Sequence, residues 1–413
     1  MGAECTSLRL HDLPLRILDD VPEIKMYEVT KMTSAERHEA RYRRRKAARE
    51  NKRAAWGLEY KSFESVFSFE HLYKSYRKCV KGVGWKASTQ RYKASCLASL
   101  QKTYEQLMSG RYRSRGFFEF DIVERGKPRH IKSVHITERV VQRCLCDYCL
   151  TPLLSRGFIY DNGASLKGKG YDFAIRRLSR FLSRHYRKHG NTGWALLFDF
   201  SKYFDTARHE PILGKIRRSG VDGRLYRLSA HFIGNFGAIG LGLGSQISQI
   251  AALALPNALD HRLKDGLRMR HYLRYMDDGC IVSRSKQRLK ICLSELKRIC
   301  AALGIRLNAK KTRIVKLSRR LRFMKVRFRF GRNGGIIRRC ERKSVSRMCK
   351  KLKSFKRMVS AGKLSLYDVQ CSLSSWRGHM RRFKNHKAAR KVERLYKNLF
   401  WGGSYGICSL QAI

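Results

Sequence analysis

Two adjacent acids, Asp277 and Asp278, stand inside the apolar run LRYMDDGCIV, Leu273–Val282. Paired carboxylates repel each other and resist burial, so a hairpin that brings them together calls for a cation. Mg²⁺ suits such a place: it takes one or two carboxylates and completes its octahedron with water and substrate phosphate oxygens. In-line phosphoryl transfer with two such ions requires at least one more carboxylate from another strand. The segment LLFDFSKYFD supplies it, with Asp199 directly after an apolar strand and Asp205 six positions on. The last side chain of a strand points into the crevice beyond the sheet edge, so Asp199 and Asp277 are expected to face each other there. Aspartates also serve plainly as turn and capping residues. An acid closing a buried strand, together with an acid pair inside an apolar hairpin, is the rarer combination.

The elements that must present these acids can be followed along the chain. NTGWALLFDF is expected to be the buried strand that ends on Asp199, and LRYMDDGCIV the hairpin that carries the pair. Between them SQISQIAALALPNALDHRLKDGL has helical periodicity, interrupted near Pro256, which has no N–H to donate. KQRLKICLSELKRICAALG follows as a helix stopped by Gly304. LRFMKVRFRFGRNGGIIRRC alternates on both sides of Asn333-Gly334, the signature of a β-hairpin. Upstream, residues 60–110 have helical periodicity, residues 117–136 alternate like strands, and ERVVQRCLCDYCLTPLL is an amphipathic or buried helix. Both flanks are basic. Residues 32–56 predict a helix capped by Thr33 or Ser34, with Glu36 and Glu39 early and Arg43, Arg44, Arg45 and Lys46 after them. Residues 342–401 predict further basic helices, and no internal repeat or low-complexity linker separates the parts.

Composition narrows the partners. The 413 residues hold 90 Lys and Arg against 32 Asp and Glu, a formal net charge of +58. With 43% hydrophobic residues the chain is no disordered polycation. A folded protein this basic points to a polyanion, nucleic acid first and an anionic membrane surface second. No long charge-free apolar run predicts a membrane span, and no secretory core follows Met1. The 13 cysteines have no disulfide-framework spacing and read as reduced thiols, which together give a cytoplasmic expectation.

The motifs, taken in order, resemble those of prokaryotic reverse transcriptases. The acid of a D-x-x-x-x-F pattern is Asp199, with Phe204 closing it, and the Y-x-D-D hairpin is Tyr275-Met276-Asp277-Asp278. Between them a Gly-rich turn opens a helix at LGLGSQISQ, Leu241–Gln249. Before them come ERGKPRHIKSV…ERVVQRCL and FIYDNGASLKGKG, and after them LGIRLNAKKT and the hairpin in the primer-grip position. The similarity covers roughly residues 115–335, and the ordered set is far more specific than any one motif. The Gly244-x-x-x-Ser248-Gln249 form and the C-terminal basic helices are closest to reverse transcriptases of diversity-generating retroelements. The long basic N-terminal extension and RFMKVRF, in place of F-L-G-Y, depart from that group. Defence-associated bacterial reverse transcriptases with their own noncoding RNA are the neighbouring alternative.

The resemblance implies an α+β right-hand polymerase, with an antiparallel palm sheet and a helical thumb. Residues 1–60 would be a basic extension, 61–195 fingers with the first palm elements, 196–335 palm and 336–413 thumb. It implies RNA-directed DNA synthesis with two Mg²⁺ ions, with Mn²⁺ able to substitute. The partners would be a structured template RNA, an RNA–DNA hybrid, dNTPs and a small accessory protein, without a membrane. Asp199 and Asp277 would be the shared metal ligands, Asp278 would orient them, and the Phe200 carbonyl would reach the second ion. Phe204 would be the steric gate against a 2′-hydroxyl, although core packing alone also accounts for the ring. Gly244 and Gln249 would line the nascent base pair, and Lys127 and Arg129 would grip the triphosphate. Lys311 matches a lysine that protonates the leaving pyrophosphate, and a solvated lysine is an equal reading of that position. Arg43, Arg44, Arg45, Lys46, Lys325, Arg381, Arg382 and Lys387 would contact nucleic acid.

Other features are set aside. Cys144, Cys146 and Cys149 lack a partner pair at zinc spacing and predict core thiols. GAIGLGLGSQ lacks the downstream acid of a dinucleotide loop. His185 and His189 lack the intervening Glu of a zinc helix and predict a solvated or phosphate-facing surface. An idle RNA-binding module is disfavoured by the intact aspartates, and RNA-directed RNA synthesis by Phe204. Untemplated polymerisation is not separated from templated synthesis by the sequence.

Overall fold

The structure, a computed structural model, describes residues 33–124, 126–383 and 385–402. The chain divides into two units, Met1–Ala55 and Trp56–Ile413. In the first, the described residues are Thr33 and α1 as far as Ala55; the helix runs Ser34–Lys61, its last turns falling in the second unit, and has no buried residue. Its start is a capping box: the Thr33 hydroxyl accepts from the Glu36 N–H at 3.2 Å, and the Glu36 carboxylate accepts from the Thr33 N–H at 2.7 Å.

The second unit opens with α2 (Phe63–Val66), α3 (Phe69–Val80), α4 (Ala87–Ala94) and α5 (Cys96–Met108). The antiparallel ribbon of β1 (Phe117–Glu124) and β2 (Lys127–Val134) follows, as its alternation predicts. Next come α6 (Ile136–Leu145), a π-helical turn Cys146–Leu150, α7 (Thr151–Ser155) and α8 (Tyr171–His189). Cys144, Cys146 and Cys149 are buried here as free thiols, packed with Val140, Val141 and Leu150.

A four-stranded antiparallel sheet is the frame of the unit, in the order β4-β5-β3-β6. Its strands are β3 (Trp194–Asp199), β4 (Tyr272–Tyr275), β5 (Asp278–Ser283) and β6 (Arg313–Lys316). Alternation along β3 sends Leu196 and Phe198 to one face and Ala195 and Leu197 to the other. The first face is buried with α9 (Tyr203–Thr206), α10 (Glu210–Arg218), α11 (Gly223–Gly234), α12 (Gln246–Ala254) and α14 (Lys286–Ala302). Between the last two, the helix is broken at Pro256, and α13 (Asn257–His261) and a second π-helical turn resume it. The second face is covered by α8 through Ala174, Ile175, Leu178, Phe181 and Leu182.

The same second core takes in the three-stranded sheet of β7 (Leu321–Phe323), β8 (Val326–Phe330) and β9 (Ile336–Cys340). The β8–β9 hairpin turns over 331–335. Gly334 has φ +73°, and a Cβ there would lie 2.4 Å from the Tyr186 ring, so only glycine fits. The β7–β8 hairpin turns on Met324 and Lys325, both at positive φ, where no glycine signals a turn. The last described helices are α15 (Arg342–Ser360), α16 (Leu366–Arg381) and α17 (His386–Phe400), packed on a small core of Met348, Leu352, Val369, Leu373 and Val392. No described helix is long and apolar enough to cross a membrane.

Candidate active site

Asp199 ends β3 directly opposite Asp278, the first residue of β5, and Asp278 also faces Tyr275 of β4. The two-residue turn Met276-Asp277 closes the β4–β5 hairpin, and Met276 has φ +54°. A non-glycine residue there is held against its steric preference, a strain that persists only when the surroundings over-determine the turn. The Phe200 N–H donates to the Asp277 carbonyl at 3.2 Å, so the strand after Asp199 is stitched to the hairpin tip. Gly279 lets the hairpin lie flat: a Cβ there would meet the Phe198 ring at 2.0 Å.

Beneath the tip lies Arg274, fully buried. Its guanidinium donates to both Asp260 oxygens, to the Leu253 carbonyl at 2.9 Å and to the Met276 carbonyl at 2.9 Å. Asp260 also accepts from the Tyr272 hydroxyl at 2.6 Å. The segment 161–163 runs along the outer side of β4: the Arg274 N–H donates to the Asp161 carbonyl, and the Gly163 N–H to the Arg274 carbonyl.

The three carboxylates differ in environment. Asp199 is 4% exposed. Lys311 Nζ donates to both its oxygens at 2.8 and 2.9 Å, Asn308 Nδ2 donates to Oδ2 at 3.2 Å, and the Asn308 N–H donates to its carbonyl at 2.8 Å. Burial weighs most against the Lys311 charge, but the bond to Asp199 and the charges of Asp199, Asp278 and Asp277 together outweigh it and hold the ammonium above its usual range. Burial, helped by the charges of Asp277 and Asp199, pushes the Asp278 carboxyl up to about 7. Burial and Asp199 also raise Asp277, while Lys311 and Arg129 pull it down. Among the described residues no three His, Cys, Asp or Glu side chains form a ready-made metal cage. The donor set nonetheless fits Mg²⁺, which needs few protein carboxylates and takes substrate phosphates for the rest. Burial and mutual repulsion raise Asp277 and Asp278, and Asp199 beside them is already held by an ammonium, so the cluster is short of positive charge.

The other expected residues lie around this edge. The Phe200 side chain is buried, and its backbone bridges to Leu307. Phe204 is half-buried in α9, and its carbonyl accepts from the Leu241 N–H at 2.6 Å, which ties it to the Gly-rich turn. Gly244 has φ +105° and lies against Ile131 and Lys132 of β2, so that turn meets the β1–β2 ribbon. Gln249 is exposed on α12, and Ser248 beside it is buried with no partner for its hydroxyl. Arg129 is exposed on β2 and acts on Asp277, whereas the Lys127 side chain lies outside the described residues. Arg43, Arg44, Arg45 and Lys46 are exposed on α1, in the other unit. Lys325 occupies the β7–β8 turn, Arg381 ends α16, Arg382 pairs with Asp172 at 3.2 Å, and Lys387 is exposed on α17.

Sequence reasoning misses two supports. Asn308 stands inside LGIRLNAKKT, where no local signal marks it as a partner of Asp199. Arg274 is legible as a charge inside an apolar strand, but its partner Asp260 is not. One expectation is corrected: His185 is not a solvated surface residue. It is 2% exposed, with Nε2 at 2.7 Å from the Thr192 carbonyl, because α8 turns that face toward the sheet.

Residues 81–328 match the family described as reverse transcriptase (RNA-dependent DNA polymerase). No curated protein sequence matches the chain. Among solved structures, telomerase from Candida albicans, in complex with a fragment of telomeric RNA, has TM-score 0.43 at 12% identity, over 75% of this chain and 59% of that one. Apo telomerase from Candida tropicalis has TM-score 0.40 at 14% identity, over 70% and 59%. The chain thus spans less than two thirds of those polymerases. The family match covers more than half of the 413 residues and contains Asp199, Asp277, Asp278 and Lys311, and the chain belongs to the reverse transcriptase family.

Proposed function

We propose that this reverse transcriptase makes cDNA by two-metal nucleotidyl transfer on a dedicated structured RNA, as in a diversity-generating retroelement. The observation that carries the catalytic part is the register that sets Asp199 against Asp278, with Asp277 at the tip and Lys311 on Asp199. The primer 3′-hydroxyl attacks the α-phosphate of a dNTP; a new P–O bond forms, and the bond to the β-phosphate bridge breaks. Mg²⁺ ions, when bound, lower the pKa of the attacking hydroxyl and neutralise charge on the leaving oxygen.

The chain's own residues do the rest. Asp199 and Asp277, with the Phe200 carbonyl, would hold the ions, and Asp278 behind them would orient the pair. Lys311, 57% exposed at its side chain, can pass a proton to the departing pyrophosphate. Lys127 and Arg129 clamp the phosphates, and Gly244 and Gln249 border the base pair. Phe204, tied by its backbone to the Gly-rich turn, fills the space a ribose 2′-hydroxyl would need. Support for the diversity-generating class is the Gly244-x-x-x-Ser248-Gln249 turn.

The test is extension of a DNA primer on RNA. Asp199→Ala and Asp277→Ala are expected to lower it by several powers of ten while RNA binding stays near wild type. Extension at the wild-type rate by Asp277→Ala overturns the assignment.

A further inference from the structure

A second basic surface lies at the end of the sheet opposite the aspartates. β5 runs from Asp278 to Ser283, so its two ends are about 17 Å apart at roughly 3.3 Å per residue. At the Ser283 end a cleft of about 820 Å³ opens between α8 and the segment 262–271. A second hollow of about 440 Å³ shares Lys188, Arg270 and His271 with it and continues to Ser285 and Arg288 at the start of α14. None of the residues assigned to catalysis lines either hollow.

The cations here lack local reasons to be together. Past Asp172, four positions before Arg176, α8 has no acidic residue, so Arg180, Arg184 and Arg187 continue along that face with no acid three or four positions away. Arg184, Arg187, Lys188 and Arg270 are exposed and have no carboxylate partner among the described residues. The dipole at the C-terminal end of α8 favours Arg187 and Lys188, but the first turn of α14 contains Lys286 and Arg288 and no acid, against its dipole. A solvated charged face mixes both signs; this trough is concave and nearly of one sign.

The deep part of the cleft is ordered. Asp161, its carboxylate almost fully buried, pairs with Arg177 and Lys264, both at 2.5 Å. Arg177 and Lys264 also lie over the Phe181 ring, at 4.9 and 5.3 Å from its centroid. These two are held in place by Asp161, which cancels one of their two charges, and the rim cations Arg184, Arg187, Lys188 and Arg270 are left for something outside the chain.

We propose that this trough is a docking site for the phosphodiester backbone of a structured part of the bound RNA, outside the segment being copied. Repeated phosphates along one strand match a row of cations on two facing walls, and recognition would be of backbone rather than of bases. The proposal rests on the RNA-copying reading above, and it gives that RNA a hold on the enzyme that does not pass through the catalytic edge.

The experiment compares full-length protein with the quadruple variant Arg184→Ala/Arg187→Ala/Lys188→Ala/Arg270→Ala. Affinity for an RNA hairpin with a single-stranded tail is measured across a salt series. Extension of a short primer on a short RNA template is measured beside it. Each phosphate no longer neutralised should remove about 0.7–0.9 from the slope of log K against log salt, or about 3 for four phosphates. Short-template extension should stay unchanged, and the four-Lys variant should restore the slope. An unchanged slope overturns the proposal. So does an equal loss of short-template extension, which would make the trough part of the catalytic hold. Relief of wild-type binding by polyglutamate, with RNA affinity the same in both proteins, assigns the surface to an acidic protein instead. Absence of extension by the wild-type protein would strike the polymerase reading alone, because the salt series is read by binding.

Discussion

Arg274 and Asp260 form an ion pair with both side chains 0% exposed, and the same guanidinium holds the Met276 carbonyl at the turn that presents Asp277. A charge pair this deep is not required for folding: well-packed apolar residues of similar volume often serve as well or better. Its directed hydrogen bonds join β4, α13, the end of α12 and the hairpin tip, so it fixes where the strained Met276 turn stands.

This pair separates stability from positioning. Arg274→Met leaves Asp260 buried without its cation and is expected to cost about 3–5 kcal/mol in denaturant unfolding. The double variant Arg274→Met/Asp260→Leu should regain most of that stability. It should not regain primer extension, because the Met276 carbonyl still lacks its donor. Equal recovery of stability and activity would show the pair to be packing alone.

Phe204 has two readings that one measurement divides. The ring is half-buried and meets Tyr203 edge-on at 6.0 Å, so part of it serves the core. Its backbone also anchors Leu241 of the Gly-rich turn, and under the proposed function its ring would stand against the sugar. Phe204→Ala is expected to lower the preference for dNTP over rNTP, measured as the ratio of kcat/KM values, because it removes a clash and no bond. An unchanged ratio leaves Phe204 a core residue only.

How much of this is legible in the sequence follows from the range of the interactions involved. Periodicity and end signals place β3 with its terminal acid, the interruption at Pro256, the stop at Gly304 and the basic terminal helices, because each depends on neighbours a few residues apart. The Asp260–Arg274 pair depends on a helix and a strand meeting in three dimensions, and nothing local announces it. The β7–β8 turn is invisible for a different reason: Met324 and Lys325 occupy a left-handed conformation that sequence signals reserve for Gly or Asn. His185 is misplaced because a histidine among Arg and Lys looks solvated. Its burial is set by the face α8 turns toward the sheet.

His271 gives the fold an acid limit. Burial, with the charges of His185, Lys264, Arg184 and Lys188, lowers its pKa to about 4. Arg177, Arg187 and Arg270 also line its cleft, and Asp161 and Asp265 are the opposing acids. The folded state therefore resists a proton that the unfolded chain accepts near pH 6.5. Stability is unaffected by this group above that pH, declines as pH falls below it, and stops declining below about 4, where both states are protonated. His271→Asn should flatten this acid limb in thermal unfolding followed from pH 7 to 4. An identical limb in both proteins would assign the acid sensitivity to other groups.

The N-terminal helix makes a contrasting prediction. α1 buries nothing, and its arginines 43, 44 and 45 are exposed, with only Arg43 among them engaging an acid of the described residues, Glu39 at 2.9 Å. An exposed pair of this kind contributes little to stability. Trp56, in contrast, stacks under Arg156 at 4.9 Å within the larger unit, so a deletion should stop short of it. Removing residues 33–55 is therefore expected to leave the unfolding midpoint of the larger unit unchanged. If the arm lies on phosphates, the same deletion flattens the salt dependence of RNA binding by about 0.7–0.9 for each phosphate the arm neutralises. It should also reduce the amount of specific RNA that copurifies, as read by sequencing. A solvated helix that only aids solubility would leave both the slope and the recovered RNA unaltered, and the dedicated-RNA reading would then rest on the trough beside α8 alone.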